Sequence, residues 1–327
     1  MHDYDTIDGM EKILHIKENK SPEFLGEREG GEQNQTEIIA LADTHNDLEA
    51  IIRNLRLHNV IGEDGEWKEG VKNVRIIHTG DVINKEHPDE KSLEYIFHLK
   101  KTAPEDCSVE ILAGNHEIEY LMDHSGKKEE GLGRSLMTEM SLLSHLGPVL
   151  FLHGHPSRRL LKEILSYGSL EDGLNAMNEQ FHQAITASMW GDNGQLKRFS
   201  FKKKDIKGED KPYQKKIVLQ DYYKEHGKEV EGLLLKLGIE VVVHGHASQQ
   251  SGVQTVGEFK EFMPKVTFIN NDVSVSKFKK LDPGETAGNE WGSTKITMKN
   301  NKGASTVSDM VFVNKKTYND LYNKLTD

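Results

Sequence analysis

The segment VRIIHTGDVINKE, Val74 to Glu86, decides how the chain folds. Its first half, VRIIH (Val74–His78), is a short apolar run closed by a Thr-Gly turn, the pattern of a buried strand. The carboxylate of Asp81 follows the turn, with Asn84 and Lys85 close behind. Taken singly, an Asp at a strand end is ordinarily a turn or helix-cap residue. Its meaning depends on whether the pattern recurs.

It recurs along the chain. Glu37–Ala42 (EIIALA) runs into ADTHND, Val109–Ala113 (VEILA) into GNHE, Val149–Leu152 (VLFL) into HGH, and Ile239–Val243 (IEVVV) into a second HGH. Between the early runs lie helical patterns at Asp47–Leu57 (DLEAIIRNLRL) and Glu90–Lys101 (EKSLEYIFHLKK). Strands alternating with helices predict an α/β fold with much parallel pairing, and in such sheets ligands bind at the carboxyl ends of the strands.

The strand ends therefore carry Asp43 and His45, Asp81, Asn115 and His116, His153, and His246. Core packing alone does not explain this set, because buried carboxylates and imidazoles cost free energy unless paired or metal-bound. Asp, Asn and His without Cys form a ligand set suited to Mn, Fe or Zn. Asp81 stands in the middle of the set and is the candidate to bridge two ions. His78 and His244 precede their motifs within strands, and His58 and His98 fall in helical patterns; all four are read as structural.

The remainder of the chain frames this arrangement. Residues 1–36 read as an appendage, with a short amphipathic helix in Met1–Lys20 and a polar, Gly-rich linker at Ser21–Thr36; residues 37–327 form the main unit. Leu160–Gly238 is mostly helical, broken by the Lys-rich stretch Lys197–Lys216, so an insertion is expected around 160–235. Leu132–Leu146 places Leu and Met at helical spacing and is read as core. Strands are expected from Val266, Ser293 and Met310, followed by a helix at Lys316–Leu325.

Composition narrows the function. The chain has 327 residues, 29% of them charged, with a formal net charge of -11, a pI of 5.8 and a mean hydropathy of -0.63. Such an acidic balance disfavours a protein that grips nucleic acid through a broad basic face, and no apolar run reaches the length of a membrane span. The single Cys107 excludes an internal disulfide, and the start MHDYDTIDGMEK has no secretory pattern. A reducing, cytoplasmic compartment is expected.

In order, ADTHND, GDVINKE, GNHE, HGH and HGH resemble the motifs of the calcineurin-like metallophosphoesterases, specifically the phosphoprotein phosphatase branch, from about Glu37 to the strands near Val266. GNHE is the most specific of them, and MWGDN, with Trp190 and Asp192, resembles the branch's Trp and Asp ahead of a variable loop. The resemblance implies a four-layer α/β/β/α sandwich of two mixed sheets. It implies two divalent metal ions, Mn foremost and otherwise Fe or Zn. Asp43, His45 and Asp81 would hold the first; Asp81, Asn115, His153 and His246 would hold the second. The implied reaction is two-metal hydrolysis of a phosphoprotein or phosphopeptide ester, with His116 as general acid. Bacterial members delivered into host cells give an alternative to cytoplasmic residence.

The chain departs from that branch at several positions. Asn84 and Lys85 stand where the branch has Asp and Arg. Asn84 can orient His116 but brings no full charge to favour its protonated form, and Lys85 can touch phosphate only as a point charge. A looser grip and a weaker acid favour a good leaving group, so tolerance or preference for phosphotyrosine is expected. Arg198 is the nearest counterpart of the branch's second phosphate-binding Arg, although a solvated surface role fits it as well. His155 replaces a Gly and is read as structural, and Asp47 is read as a helix cap. Two alternatives stay open: a dinucleoside polyphosphate hydrolase, and a catalytically weakened phosphatase fold that serves as a binding module.

Overall fold

The computed structural model describes residues 35–84, 90–125, 137–199, 216–246, 255–257, 259–272, 292–301 and 304–314. Strand β1 spans Gln35–Leu41, β2 Val74–His78, β3 Ser108–Ile111, β4 Leu143–Leu146, β5 Val149–Leu152, β6 Val241–His244, β7 Thr255–Val256, β8 Thr267–Asn270, β9 Gly292–Asn301 and β10 Ala304–Asn314. The helices are α1 Leu48–Leu57, α2 Lys91–Lys101, α3 Asn115–Asp123, α4 Arg158–Ser166, α5 Leu170–Met189 and α6 Lys216–Lys236, with a short 3₁₀ turn at Leu196–Phe199.

The strands form two mixed sheets, ordered β10-β9-β1-β2-β3 and β4-β5-β6-β8-β7. In the first, β1, β2 and β3 are parallel and β9–β10 is an antiparallel hairpin laid along β1. In the second, β5, β6 and β8 are parallel, with β4 and β7 antiparallel at the edges.

Alternation along each strand explains the layering, because successive side chains point to opposite faces. Ile38, Ala40, Ile77, Val149, Phe151, Val241, Val243, Ile269 and Ile296 pack between the sheets. Their neighbours Ile39, Leu41, Ile76, Leu150, Leu152 and Val242 face outward under the helices. Ile51, Ile52 and Leu55 of α1 and Leu93, Ile96 and Leu99 of α2 join that outer core, as do Leu161 and Ile164 of α4, Phe181 of α5 and Leu234 of α6. Strands buried on both faces read as continuous apolar runs, which is why these segments stand out in the sequence.

Leu132–Leu146 requires correction. Its described part is core, with Met137, Met140, Leu142 and Leu143 buried, but it ends in strand β4 rather than continuing at helical spacing. The two-residue connection Gly147-Pro148 turns β4 directly into β5, with Leu146 opposite Val149. Gly147 takes φ +53, the positive φ such a hairpin needs at its first loop residue. The Met1–Lys20 helix, the Lys316–Leu325 helix and most of the Lys197–Lys216 stretch lie outside the described residues.

Candidate metal centre

The parallel strands of both sheets deliver their polar turns to one region. Backbone hydrogen bonds stitch the turns together: Asp43 N–H donates to Gly80 O at 3.1 Å, His45 N–H to Asp81 O at 2.9 Å, and Gly245 N–H to His153 O at 2.9 Å. Asp43, His45, Asp81 and His246 all have positive φ, between 43° and 65°. Left-handed backbone at non-glycine residues costs roughly 1–3 kcal/mol each and persists only where surroundings impose it.

Three glycines permit the close approach. A Cβ on Gly114 would stand 2.1 Å from Asp81 Oδ1, one on Gly245 2.0 Å from Asp43 Oδ2, and one on Gly80 2.8 Å from His153 Nδ1. Below the turns, Gly80 N–H donates to His78 Nδ1 at 3.2 Å. Nε2 therefore carries the His78 proton and donates to Thr44 Oγ1 at 3.0 Å. His78 thus ties the Asp43 turn to the Asp81 turn. Asp47 caps α1 by accepting from Ala50 N–H at 3.1 Å, as its position in the sequence suggests.

The donor atoms fall into two groups that share Asp81. Oδ2 of Asp81 lies 3.9 Å from His45 Nε2 and 3.8 Å from His116 Nε2, and Asp43 Oδ1 lies 3.9 Å from the same His45 atom. Oδ1 of Asp81 lies 3.4 Å from His153 Nε2. Asn115 Oδ1 is 3.1 Å from that nitrogen and 2.7 Å from His246 Nδ1. His116 sits at the start of α3, where its N–H donates to Asp81 Oδ1 at 2.9 Å. Its side chain is 20% exposed, against 3% for that of Asp81.

Electrostatics follow from this crowding. Burial works against the charge of Asp81, yet the imidazoles of His153, His116 and His45 hold its carboxyl well below the usual range. Asp43 is pushed well above it, by burial and then by the carboxylates of Asp272 and Asp81. Burial disfavours a charged His153, but Asp81 and Asp43 raise it to about 10. Burial, with His153 beside it, lowers His246 to about 3.

These donors fit divalent ions. His153 Nδ1 lies 3.0 Å from the carbonyl of Thr79, so it donates there and Nε2 faces Asp81, Asn115 and His246; once Nε2 gives up its proton, this is how ligating histidines are commonly oriented. Without a cation, the proton that Asp81 and Asp43 keep on His153 offsets part of the carboxylate charge.

A family model described as calcineurin-like phosphoesterase matches residues 36–249. The chain belongs to that family. It is a metallophosphoesterase, with the two-sheet fold of that class. Among solved structures, it is similar to a cold-active protein-tyrosine phosphatase of the psychrophile Shewanella sp., with a TM-score of 0.53 and 17% identity over 84% of this chain and 80% of that one. It also resembles a protein serine/threonine phosphatase from Saccharomyces cerevisiae, with a TM-score of 0.47 and 15% identity over 85% and 79% of the two chains. The first likeness supports the fold; the second is too low to add to it. No curated protein matches the sequence.

Other candidate residues of the phosphoesterase occupy different settings. Asn84 is buried, its backbone N–H donating to Asn46 Oδ1 at 3.1 Å. Lys85 lies outside the described residues. The guanidinium of Arg198 is engaged by the Glu163 carboxylate and by Gln180 Oε1, and it sits over the Phe199 ring. A phosphate-binding role would require it to leave Glu163. His155 is buried against His244, with ring centroids 4.0 Å apart, and against Tyr223 and Phe259. Asp192 closes a turn by accepting from Gly194 N–H at 2.8 Å.

Sequence reasoning assigned no role to Glu117 or Asp272, and read His78 as structural, as its buried hydrogen bonds bear out. Glu117 is fully buried, and its carboxylate accepts from the N–H groups of Asp81 and Gly114 through Oε2 and of Ile83 through Oε1. It therefore fixes the Asp81 turn against the start of α3. The signal for Asp272 was the polar run after FI in FINND, which repeats the strand-end pattern a sixth time.

Proposed function

We propose that this metallophosphoesterase is a phosphomonoesterase acting on phosphoprotein esters and favouring aryl phosphates such as phosphotyrosine. Asp43, His45 and Asp81 would hold one divalent ion, and Asp81, Asn115, His153 and His246 a second. When bound, such a pair makes a coordinated water a nucleophile near neutral pH and offsets charge on the phosphoryl oxygens. The observation that carries this reading is the division of Asp81, with Oδ2 towards His45 and His116 and Oδ1 towards His153.

His116 is the proposed general acid: its ring reaches solvent while its backbone is tethered to Asp81, so Nε2 can hold a proton for the leaving oxygen. Asn84 is its proposed orienting partner and Lys85 a proposed phosphate contact. An amide and a flexible ammonium stabilise a departing alkoxide less than a carboxylate and an arginine do, and a phenol needs less help. The Shewanella neighbour is described as a protein-tyrosine phosphatase. At that identity the likeness reaches only the fold, so the aryl preference rests on Asn84 and Lys85. Residues 37–327 are the proposed catalytic unit, with 1–36 as its appendage.

The test is phosphate release from matched phosphotyrosine, phosphoserine and phosphothreonine peptides and from a dinucleoside polyphosphate, using chelator-stripped chain reloaded with Mn. Release should require metal and be fastest from phosphotyrosine, and His116→Ala should slow it by roughly 10²–10⁴-fold. Nucleotide turnover exceeding every phosphopeptide would replace this reading with the polyphosphate hydrolase. Bound metal without turnover of any ester would replace it with the binding module.

A further inference from the structure

The backbone from Asp81 to Asn84 is bonded on two sides. Towards α3, the N–H groups of Asp81 and Ile83 donate to Oε2 and Oε1 of Glu117, each at 2.9 Å. Towards the turn after β1, Asp81 O accepts from His45 N–H at 2.9 Å and Val82 O from Asn46 N–H at 2.7 Å. The last bond on that side is made by a side chain: Asn46 Oδ1 accepts from Asn84 N–H at 3.1 Å. Asn46 thus holds the stretch twice, once through its backbone and once through its amide, and both Asn46 and Asn84 are buried.

The place of this amide bond in the chain says what it governs. Lys85 follows Asn84 in the sequence, so the Asn46 amide is the last clasp among the described residues ahead of it. Asn84 is one residue from the bond between Ile83 and Glu117, and Glu117 is the neighbour of His116 on α3. On the other side of Asn46, the His45 ring lies against that of His116, with centroids 4.5 Å apart. A buried N–H left without an acceptor is unfavourable, so loss of Oδ1 would shift the main chain of Asn84. Asn46 has φ +69, a conformation that Gly adopts freely and Asn and Asp tolerate. Replacing it with Gly therefore removes the amide while keeping the turn and its bond to Val82 O.

We propose that Asn46 is a positioning residue whose amide fixes the main chain of Asn84, and through it the Asn84 side chain and the Lys85 that follows, without taking part in holding the metal ions. The inference rests on the reading above in which Asn84 orients His116. A leaving alkoxide needs a proton from a well-placed acid, whereas a nitrophenolate departs with little help, and a small misplacement can cost roughly 100-fold in rate. Loss of the Asn46 amide should therefore penalise alkyl esters selectively.

The experiment compares wild type, Asn46→Gly, Asn46→Asp and His116→Ala in the full chain. Amide hydrogen exchange of the chelator-stripped proteins reads the clasp directly. In Asn46→Gly the Asn84 N–H should exchange roughly fivefold faster, while the Ile83 N–H, held by Glu117, keeps its wild-type protection. After reloading with Mn, metal content should match wild type, and the rate on a phosphoserine peptide should fall roughly 10–100-fold more than the rate on nitrophenyl phosphate. Asn46→Asp, which keeps an acceptor oxygen, should restore the protection and the rate ratio together. Unchanged exchange at Asn84 overturns the inference, as does equal loss on both esters. Faster exchange at Ile83 and Asn84 alike also overturns it, because that pattern belongs to a merely structural residue. Equal slowing of both esters by His116→Ala, or no metal-dependent release by wild type, overturns the general-acid reading itself and this inference with it.

Discussion

Asp81 and His153 end strands of different sheets, yet Oδ1 of one lies 3.4 Å from Nε2 of the other. The contact closes the two sheets at the site and, in the metal-free chain, keeps a proton on His153, which Asp81 and Asp43 raise to about 10 against the effect of burial. An incoming ion has to displace that proton. Ion affinity should therefore rise with pH, by about tenfold per unit between pH 6 and 9 for one proton released. Calorimetry in buffers of different ionisation enthalpy counts the proton. A pH-independent affinity would contradict the account.

Gly114→Ala should disable the site by sterics alone, since Gly114 has φ -95 and its added Cβ would meet Asp81 Oδ1 at 2.1 Å and Asp81 N at 2.4 Å. Overpacking of this kind costs about 1–3 kcal/mol, and metal stoichiometry should fall with it. Gly232→Ala is the control: nothing lies within 4 Å of its Cβ position in helix α6, so it should be neutral or stabilising by roughly 0.5–1 kcal/mol. Denaturant unfolding and metal analysis of both variants check the contrast.

Glu117→Gln tests the support beneath Asp81. The carboxylate accepts three backbone N–H groups, of Asp81, Ile83 and Gly114, and an amide has only one acceptor oxygen. At least one buried N–H then faces an NH₂ group, at a cost of about 1–3 kcal/mol. Urea unfolding should register the loss, and metal affinity should fall because the Asp81 turn loosens. Unchanged stability would show that the triple contact contributes nothing net.

His78 gives the chain a sensitivity to acid. Burial, and then the positive His153, lower it to about 3 from an ordinary 6.5, so folding favours its neutral form. A base with a depressed folded-state pKa contributes stability above its unfolded value and loses it as pH falls from 6.5 towards 3, by up to about 1.4 kcal/mol per unit. His78→Gln should flatten the fall of unfolding free energy between pH 6.5 and 4 relative to wild type. Parallel slopes would remove His78 as a cause.

The layered fold was legible because its strands are buried on both faces and so appear as apolar runs ending in polar turns. Strand β4 escaped that reading: LSHL is short, carries two polar residues and is defined by the hairpin at Gly147 rather than by hydrophobicity. The strand-end residues were legible as a set, but their division around Asp81 was not, because it depends on the approach of two sheets. Asp272 was missed for the same reason, since its neighbours Asn270 and Asn271 resemble an ordinary turn until Asn271 is seen to reach Ala40 in the other sheet. Arg198 was selected by its place after Trp190, and sequence position alone could not reveal its partner Glu163.

The most direct test of the bridging arrangement is metal content per chain after chelator stripping and reloading with Mn, measured by elemental analysis for wild type and Asp81→Asn. The account predicts two ions per wild-type chain and loss of both, or retention of no more than one, when the shared carboxylate becomes an amide. One ion or none in wild type, or two in Asp81→Asn, would contradict it.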